Sequence, residues 1–324
     1  MTIPLAIGID LGGTNLKIAV VDREGRILAK EVAALTTGTG PEAVVANATA
    51  MVDRLLVAAS AERSEIVGVG LGTPGPLNLA EGRVVKAVNL PGWQNVPIRD
   101  RFAEALELPV ALDNDGNAAA YGEYWVGAGC GAGDLVMLTL GSGVGCGVII
   151  GGKVLHGHFD NAAELGHMIV VPDGLPCRCG QRGCLEQYAS AGGVARRTRA
   201  AVQGGESSTL AGATGQMERI DAARVVAAAQ TGDSLAARIW DEACYYLAIA
   251  CVNIQHAYNP ERIVLGGGMS QAGSFLLKPV QAHLAQQQWS LCDDVPAVTL
   301  ATLGFDAGVI GAAGLVWQLH NRAN

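Results

Sequence analysis

The chain has 324 residues, of which 50% are hydrophobic and 16% charged, and its formal net charge is −8. This length allows two domains with hydrophobic cores. The acidic balance and the absence of any run of lysines and arginines argue against a nucleic-acid-binding protein, and the longest apolar run, about residues 243–252, is too short to span a bilayer.

The N-terminal residues and the cysteines indicate the compartment. The chain opens with MTIPLAIGID, which has neither the basic region nor the cleavage site of a secretory signal. Three of its eight cysteines are clustered and the others are scattered, a usage that suits a reducing compartment. We therefore expect a cytoplasmic protein without a membrane segment.

The first predicted element is a strand, a glycine turn and a second strand within residues 3–22. The turn is Gly12-Gly13-Thr14-Asn15, and its adjacent glycines expose backbone N–H groups that can line a phosphate. Asp10, just before the turn, could bind Mg²⁺ through water. The stretch matches neither the Walker pattern nor G-x-G-x-x-G, so an ordinary hairpin turn is the alternative interpretation.

A partial internal repeat favours the phosphate-binding interpretation. Residues 138–149, LTLGSGVGCGVI, have the same layout, with Leu140-Gly141 where Leu11-Gly12 stood. One such unit opens each half of the chain. The repeat predicts duplicated domains that face one cleft and hold a nucleotide phosphate chain between two glycine turns.

The next segment alternates predicted helices and strands with turns. Apolar spacing predicts a helix over residues 41–61, and residues 66–71 read as a buried strand that runs into Gly-Thr-Pro-Gly-Pro. Another turn, at 89–93, combines polar and aromatic residues. Asn89 is predicted there as a ligand contact, whereas packing alone would explain Trp93.

A short predicted strand at 109–112 runs into Asp113-Asn114-Asp115-Gly116-Asn117, and a predicted helix follows. Capping a helix needs only one Asx residue, yet this segment has four in five positions. A carboxylate at the C-terminal end of a strand and beside a helix N-terminus is well placed to meet a ligand. We therefore predict that Asp115 is a catalytic base.

The segment from Glu164 to Glu186 predicts a metal site. Three thiolates and one imidazole complete a tetrahedral Zn²⁺ site, and tight turns at two glycines would bring the sulfurs together. The predicted ligands are His167, Cys177, Cys179 and Cys184. Buried or disulfide-bonded cysteines are the alternative, although Cys177 and Cys179 are too close for an easy mutual disulfide. A four-ligand site is structural, and it would hold Glu164 and Glu186 as acceptors for polyol hydroxyls.

The remaining chain is predicted to be mostly helical to residue 258, with a surface loop at 204–215. An apolar helix over 245–256 should stop at Asn259-Pro260. A buried strand at 262–265 leads into Gly266-Gly267-Gly268, a turn that lets a flat base approach the backbone. The last predicted helix covers 307–319.

Together these motifs resemble the ROK group (repressors, open reading frames and sugar kinases) of the actin-like ATPase superfamily. The resemblance rests on motifs that span nearly the whole chain in order: DLGGTN at 10–15, GTPGP at 72–76, NLPGW at 89–93, DNDGNAAA at 113–120, LGSGVGCG at 140–147, ELGH at 164–167, CRCGQRGCLE at 177–186 and LGGG at 265–268. One departure is Ser142, where the family more often has threonine, and either hydroxyl can serve a phosphate.

The resemblance implies an ATP-dependent kinase that phosphorylates the C6 hydroxyl of a hexose, glucose first, with Asp115 as the general base. The implied sugar contacts are Asn89, Asn114, Asp115, Glu164, His167 and Glu186, and His167 would serve both zinc and sugar. Asp10 would lie near Mg²⁺. The implied nucleotide contacts are Asp10, Gly12, Gly13, Thr14, Asn15, Gly141, Ser142, Gly143, Gly145, Gly266, Gly267 and Gly268.

The implied fold is α/β, with two ribonuclease-H-like domains that flank a cleft. The predicted N-terminal domain covers residues 1–117 and is completed by a C-terminal helix at about 306–324. The predicted C-terminal domain covers 118–305 and contains the zinc knuckle at 167–184. The implied partners are the sugar, ATP with Mg²⁺ and structural Zn²⁺, without nucleic acid or membrane, and a homodimer is expected.

Two alternatives remain at this point. The first is a kinase for another sugar, such as fructose, mannose, N-acetylmannosamine or N-acetylglucosamine, because the letters do not reveal the shape of the pocket. The second is a sugar-responsive regulator of the same family. Such regulators carry an N-terminal helix-turn-helix domain, and the phosphate turn at Asp10 is expected to leave no room for one.

Overall fold

The computed structural model describes residues 4–36, 38–87, 90, 92–212, 220–287, 289, 291 and 294–323. The chain folds as two units. Unit 1 comprises Met1–Ala132, Gly147–Ala163 and Leu303–Asn324, and unit 2 comprises Gly133–Cys146 and Glu164–Thr302. The predicted domain boundaries stay a prediction.

The first half of the chain begins with a three-stranded meander and continues with alternating helices and strands. Its elements are β1 (Leu5–Leu11), β2 (Asn15–Val21), β3 (Ile27–Ala34), α1 (Pro41–Ala59), β4 (Ile66–Thr73), β5 (Leu77–Asn78), β6 (Arg83–Lys86), β7 (Gln94–Val96), α2 (Ile98–Leu106), β8 (Val110–Asn114) and α3 (Asp115–Val126). The strand–glycine–strand pattern predicted for residues 3–22 corresponds to β1 and β2.

The second half contains the longer helices. Its elements are β9 (Leu135–Leu140), β10 (Val144–Ile150), β11 (Lys153–Val154), α4 (Glu186–Ala189), α5 (Ala191–Gln203), α6 (Ala222–Gln230), α7 (Ser234–Tyr258), β12 (Arg262–Gly266), α8 (Ser274–Gln286), β13 (Ala297–Leu300) and α9 (Ala307–Ala323). The predicted α/β class is confirmed.

The first five-stranded sheet has the order β3-β2-β1-β4-β8. β1, β2 and β3 pair antiparallel, whereas β4 is parallel to both β1 and β8. β1 is almost entirely buried, as expected for a strand whose two faces are both covered. β5, β6 and β7 form a separate small antiparallel sheet.

Helix α9 packs against β1, β4 and α3 in unit 1. Glycines on the strands make this close approach possible. A Cβ atom on Gly8 would lie 1.9 Å from the carbonyl oxygen of Val309, and one on Gly70 would lie 1.7 Å from that of Ala312. The C-terminal segment is therefore an integral layer of unit 1.

The second five-stranded sheet repeats the order of the first, as β11-β10-β9-β12-β13. β12 is parallel to β9 and β13, and β10 is antiparallel to β11. The boundary between the units falls within β10.

Among the described residues, no helix is both long and apolar enough to cross a membrane.

Helix α7 is longer than predicted. It ends at Tyr258, with Asn259 in the left-handed conformation at φ 44°, as the Asn-Pro signal predicts. It begins at Ser234 rather than near residue 245, because Asp233 accepts a capping hydrogen bond from the N–H of Ala236 at 2.9 Å. The predicted surface loop at 204–215 contains a short 3-10 helix, Thr209–Gly212, and residues 213–215 lie outside the described part of the chain.

Candidate functional site

The carboxyl ends of β1 and β8 each carry an acidic residue of unit 1, Asp10, which was predicted as a site residue, and Asp113, which was not. In the sheet register Asp10 is opposite Gly72, and Gly72 is opposite Asp113. Adjacent strands are about 4.8 Å apart, so Asp10 and Asp113 are separated by roughly 10 Å at one edge of the sheet. Ligands of parallel α/β sheets bind at this kind of edge.

Asp115 is the first residue of α3 and is half-buried. Asn114 caps the helix, because its Oδ1 accepts a hydrogen bond from the N–H of Gly116 at 2.8 Å. Oδ1 of Asp115 accepts from the same N–H at 2.9 Å. The partial positive charge of a helix N-terminus favours the ionised carboxylate, which is the state that a proton acceptor needs.

The structure adds a pair that the sequence analysis missed. Asp113 is buried, and its Oδ2 lies 2.7 Å from Nε2 of His156. Its Oδ1 accepts hydrogen bonds from the backbone N–H of Asn114 and from Nδ2 of Asn117, both at 2.8 Å. The two partners are 43 positions apart along the chain, so no local spacing could have linked them.

The first glycine turn connects β1 to β2, and its residues 13–15 are exposed. The N–H of Gly12 donates to the carbonyl oxygen of Asn15 at 2.9 Å. Asp10 forms an ion pair with Lys17, 3.2 Å from Nζ to Oδ2, and the same Nζ donates to the carbonyl oxygen of Phe305 at 2.8 Å. A magnesium ion near Asp10 would therefore share this carboxylate with a lysine.

The second glycine turn connects β9 to β10 and is closed by a hydrogen bond from the N–H of Gly141 to the carbonyl oxygen of Gly143, 2.9 Å long. Ser142 and Gly145 are exposed. The Gly266–Gly268 turn lies beside the end of β9: a Cβ atom on Gly267 would be 2.6 Å from the backbone nitrogen of Leu140. Unit 2 thus brings together two of the segments predicted to contact nucleotide.

The side chain of Glu186, the first residue of α4, lies against this second turn. Its Oε2 accepts a hydrogen bond from the N–H of Val144 at 3.1 Å. A Cβ atom on Gly143 would be 2.2 Å from the same oxygen, so a side chain at this position would displace the carboxylate from where it lies. The sequence predicted both Glu186 and Gly143 as site residues but did not predict this contact between them.

The Glu164–His167 segment approaches the same residue of β10. Leu165–His167 forms a single 3-10 turn preceded by Glu164, which is exposed. Between them, Gly166 is buried, and a Cβ atom there would lie 2.1 Å from the carbonyl oxygen of Val144. Val144 is therefore contacted by both segments that carry the predicted glutamates.

The four predicted metal ligands converge in unit 2. The donor atoms of His167, Cys177, Cys179 and Cys184 all lie within 4.8 Å of one another. Nδ1 of His167 is 3.7 Å from Sγ of Cys177, and Sγ of Cys179 is 3.6 Å from Sγ of Cys184. The imidazole therefore turns Nδ1 toward the cluster.

These distances fit a tetrahedral metal site. With metal–sulfur bonds of about 2.3 Å, two thiolates of a tetrahedron are about 3.8 Å apart, close to the observed sulfur separation. Burial, followed by the neighbouring thiols of Cys179 and Cys177, raises the pKa of Cys184 to about 12. A cation would supply the charge that holds such closely spaced sulfurs as thiolates. The cluster can therefore bind a metal ion.

Two left-handed glycines shape the loop that carries the cysteines. Gly180 has φ 94° and Gly183 has φ 79°, conformations that other residues rarely adopt. Gly183 also lies against the segment between His167 and the first cysteine, since a Cβ atom there would be 1.7 Å from the carbonyl oxygen of Val171. Of the other predicted site residues, Asn89 lies outside the described residues.

The ROK family profile matches residues 6–319. A glucokinase of Halalkalibacterium halodurans is 40% identical over 316 residues, covering 97% of this chain and 96% of the relative. The N-acetylmannosamine kinase of Escherichia coli O157:H7 is 32% identical over 307 residues, covering 95% and 96%.

A solved structure agrees with these relatives. The ROK family glucokinase from Streptomyces griseus, in complex with glucose and AMPPNP, superposes with a TM-score of 0.81 at 34% identity, covering 97% of this chain and 99% of that one. The match of the family profile along almost the entire length confirms the resemblance carried by the motifs. The chain belongs to the ROK family.

Proposed function

We propose that this chain is an ATP-dependent hexose kinase that phosphorylates the C6 hydroxyl of glucose. The observation that carries the proposal is the 40% identity to a glucokinase along 97% of the chain. The complex of the Streptomyces griseus glucokinase with glucose and AMPPNP supports glucose as the acceptor and ATP as the donor.

Asp115 is the proposed general base that accepts the proton of the C6 hydroxyl. Its half-buried position at the N-terminus of α3 supports the role, because the helix dipole favours negative charge there and the Gly116 N–H holds the carboxylate. Phosphoryl transfer depends mainly on positioning and charge neutralisation.

The other sugar hydroxyls are assigned to Asn89, Asn114, Glu164, His167 and Glu186. Because Nδ1 of His167 faces the cysteine cluster, Nε2 is the ring nitrogen assigned to a sugar hydroxyl. The bond from Val144 N–H to Oε2 of Glu186 holds that carboxylate in one orientation. An ordered acceptor loses less side-chain entropy when the sugar binds.

The nucleotide phosphates are assigned to the two glycine turns. These are Gly12, Gly13, Thr14 and Asn15 in unit 1, and Gly141, Ser142, Gly143 and Gly145 in unit 2. Gly266, Gly267 and Gly268 are assigned to the adenosine. Asp10 would hold Mg²⁺ through water, and the ion would neutralise phosphate charge.

The metal of the cysteine cluster is proposed to be Zn²⁺, with a structural role. Three thiolates and an imidazole are a donor set that Zn²⁺ prefers and Mg²⁺ does not. Both five-stranded sheets share one strand order, which supports the assignment of the two domains as ribonuclease-H-like. None of the seven described cysteines forms a disulfide, which supports a cytoplasmic location.

The decisive experiment is a coupled ADP assay with a panel of free sugars and ATP. We expect the highest kcat/KM for glucose, and phosphorus–carbon coupling in the NMR spectrum of the product should locate the phosphate on C6. A higher kcat/KM for N-acetylmannosamine would transfer the assignment to that sugar. Failure to phosphorylate any sugar, together with specific retention of DNA in a gel shift, would replace the kinase by a regulator.

A homodimer is also proposed, following the expectation from the family. Light scattering coupled to size-exclusion chromatography tests it directly. A mass near twice the 33.2 kDa of the chain is expected, and a mass equal to that of the chain would contradict the dimer without affecting the kinase assignment.

A further inference from the structure

Gln187 follows Glu186 in α4 and is buried, with 8% of its surface exposed. Its side-chain amide contacts three groups. Nε2 lies 3.3 Å from Sγ of Cys177 and 3.5 Å from Oε1 of Glu186, whereas Oε1 lies 2.9 Å from Nη2 of Arg196. The amide therefore connects a predicted metal ligand to a predicted sugar ligand.

The partners determine which way the amide points. A guanidinium group can only donate hydrogen bonds, so Arg196 must face the amide oxygen. The amide NH₂ group then faces the Cys177 sulfur and the Glu186 carboxylate, which can both accept. The reversed amide would set two donors against each other at Arg196 and acceptors against each other at Cys177 and Glu186.

A further hydrogen bond links Glu186, and through it Gln187, to the β9–β10 turn. Oε1 of Glu186 is oriented by Gln187, while its Oε2 accepts the hydrogen bond from Val144 N–H at 3.1 Å. A hydrogen bond from a second residue fixes the orientation of a metal ligand, and loss of such a partner commonly costs 10–100-fold in metal affinity or activity. One buried amide thus acts on the metal cluster and on the carboxylate at the turn.

We propose that Gln187 is a positioning residue that couples the metal-binding cluster to Glu186. It fixes the carboxylate that binds the sugar and stabilises the thiolate of Cys177 as a metal ligand. The inference rests on the proposed function for the role of Glu186 and on the assignment of the cluster as a Zn²⁺ site. Its metal readouts do not require kinase activity.

The test compares Gln187→Met and Gln187→Glu with the unaltered zinc-loaded enzyme. Methionine matches the length of the side chain but donates no hydrogen bond, and glutamate keeps an acceptor for Arg196 but places a second negative charge beside the thiolate. Two properties are measured: the rate of metal transfer to a chromogenic chelator, and the thiolate-to-metal absorption bands of the cobalt-substituted protein. Steady-state kinetics then separate KM for glucose from kcat.

For both variants we expect metal affinity to fall by about 10–100-fold, the cobalt bands to shift, and KM for glucose to rise more than kcat falls. Gln255→Met is the matched control, because Gln255 is also a buried amide in unit 2 and its Nε2 donates to the carbonyl oxygen of Asp294 at 3.4 Å, away from the cluster. The control variant should change only the thermal stability and should leave the metal affinity, the cobalt bands and KM for glucose unchanged.

Arg196 provides a second route if both substitutions at position 187 prevent folding. Its side chain is exposed, so Arg196→Met should fold, and it removes the group that orients the amide. We expect a smaller change in the same direction, with rescue by Arg196→Lys, which still donates. Unchanged cobalt bands and unchanged KM for glucose in folded Gln187→Met, or in Arg196→Met if the former does not fold, would overturn the proposal. Inactivity of the unaltered enzyme toward every sugar, with the metal effects present, would instead count against the proposed function.

Discussion

At Asp115 the local sequence supplies two functions in neighbouring residues. Asn114 caps α3 by accepting a hydrogen bond from Gly116 N–H, and Oδ1 of Asp115 accepts from the same N–H. Because the Asn114 side chain can cap the helix by itself, the basicity of Asp115 can be removed with little loss of helix stability.

Asp115→Asn tests this separation. The substitution keeps the shape of the side chain and removes its basicity, so kcat should fall by roughly 100- to 10,000-fold while KM for glucose changes little. The thermal midpoint should stay the same. Asp221→Asn is a suitable control, because Asp221 caps α6 at an exposed site by accepting from Arg224 N–H, and it should keep full turnover. Near-normal kcat in Asp115→Asn would remove Asp115 from the mechanism.

Asp233, the N-cap residue of α7, makes the stability of the fold depend on pH. Burial by itself raises the pKa of this carboxyl group, but hydrogen bonds from the Ala236 N–H and from Thr209 and Ser208 outweigh it and lower the pKa from 3.8 to about 2. Because the pKa in the folded state is the lower one, the carboxylate stabilises the fold above about pH 4. That contribution is lost as the pH falls from about 4 to about 2.

Asp233→Asn should therefore lower the free energy of unfolding at pH 7 by about 2 kcal/mol. Urea unfolding at several pH values is the measurement, and the difference between wild type and variant should narrow below pH 4. Asp221→Asn, with one exposed capping bond, should cost about 1 kcal/mol or less. A difference for Asp233→Asn that stays constant down to pH 3 would show that the carboxylate charge contributes nothing there.

At the scale of elements, the loop that carries the three cysteines is organised by two glycines with different surroundings. Both have positive φ, yet a Cβ atom on Gly183 would collide with the carbonyl oxygen of Val171, while one on Gly180 would meet nothing within 4 Å. The N–H of Gly183 also donates to Leu175, and its carbonyl oxygen accepts from Val170. Gly183 thus holds the cysteine loop against residues 170–175, which precede the first cysteine.

Gly183→Ala and Gly180→Ala form a matched pair for this element. Protein purified without a histidine tag should contain about one zinc per chain. Gly180→Ala adds only backbone strain, about 1–2 kcal/mol, and should retain the ion, whereas Gly183→Ala must move the chain at Val171 and should lose most of it. Elemental analysis with thermal unfolding measures both effects. Equal zinc content in the two variants would show that contact with Val171 is unimportant.

For the whole molecule, the two units differ in what stabilises each of them internally. Unit 2 contains all four predicted metal ligands, whereas unit 1 contains a sheet covered on one side by α9. Removing a structural metal withdraws binding energy from the element that it organises. Loss of the ion should therefore affect backbone protection unequally along the chain.

Hydrogen exchange before and after treatment with a strong chelator measures this directly. We expect faster exchange over residues 164–190, with β1 and β4 of unit 1 unchanged. A Cys179→Ser variant should exchange fast in the same segment without chelator and respond little to it. A uniform increase through both units would mean that the cluster supports the entire molecule, and no change at all would argue against a structural metal.

Features that depend on residues close together in the sequence were predicted well. The strand–glycine–strand pairs, the strand before Asp113 and the C-terminal end of α7 all depend on residues within a few positions of each other. The start of α7 was predicted too late, because its first turns carry charged residues that dilute the apolar stripe, although Asp233 was present as a cap. The Asp113–His156 pair and the bond from Val144 N–H to Glu186 were not predicted, since each joins distant parts of the chain.

The sequence by itself determined the α/β class and the family, because motifs of adjacent residues carry that information, and it predicted the histidine and three cysteines whose donor atoms converge. Only the tertiary structure decided which oxygen of Glu186 meets Val144, which ring nitrogen of His167 faces the sulfurs, and which way the Gln187 amide points. The reason is physical: the orientation of a polar side chain depends on donors and acceptors that folding brings from remote segments, and no periodicity along the chain records them.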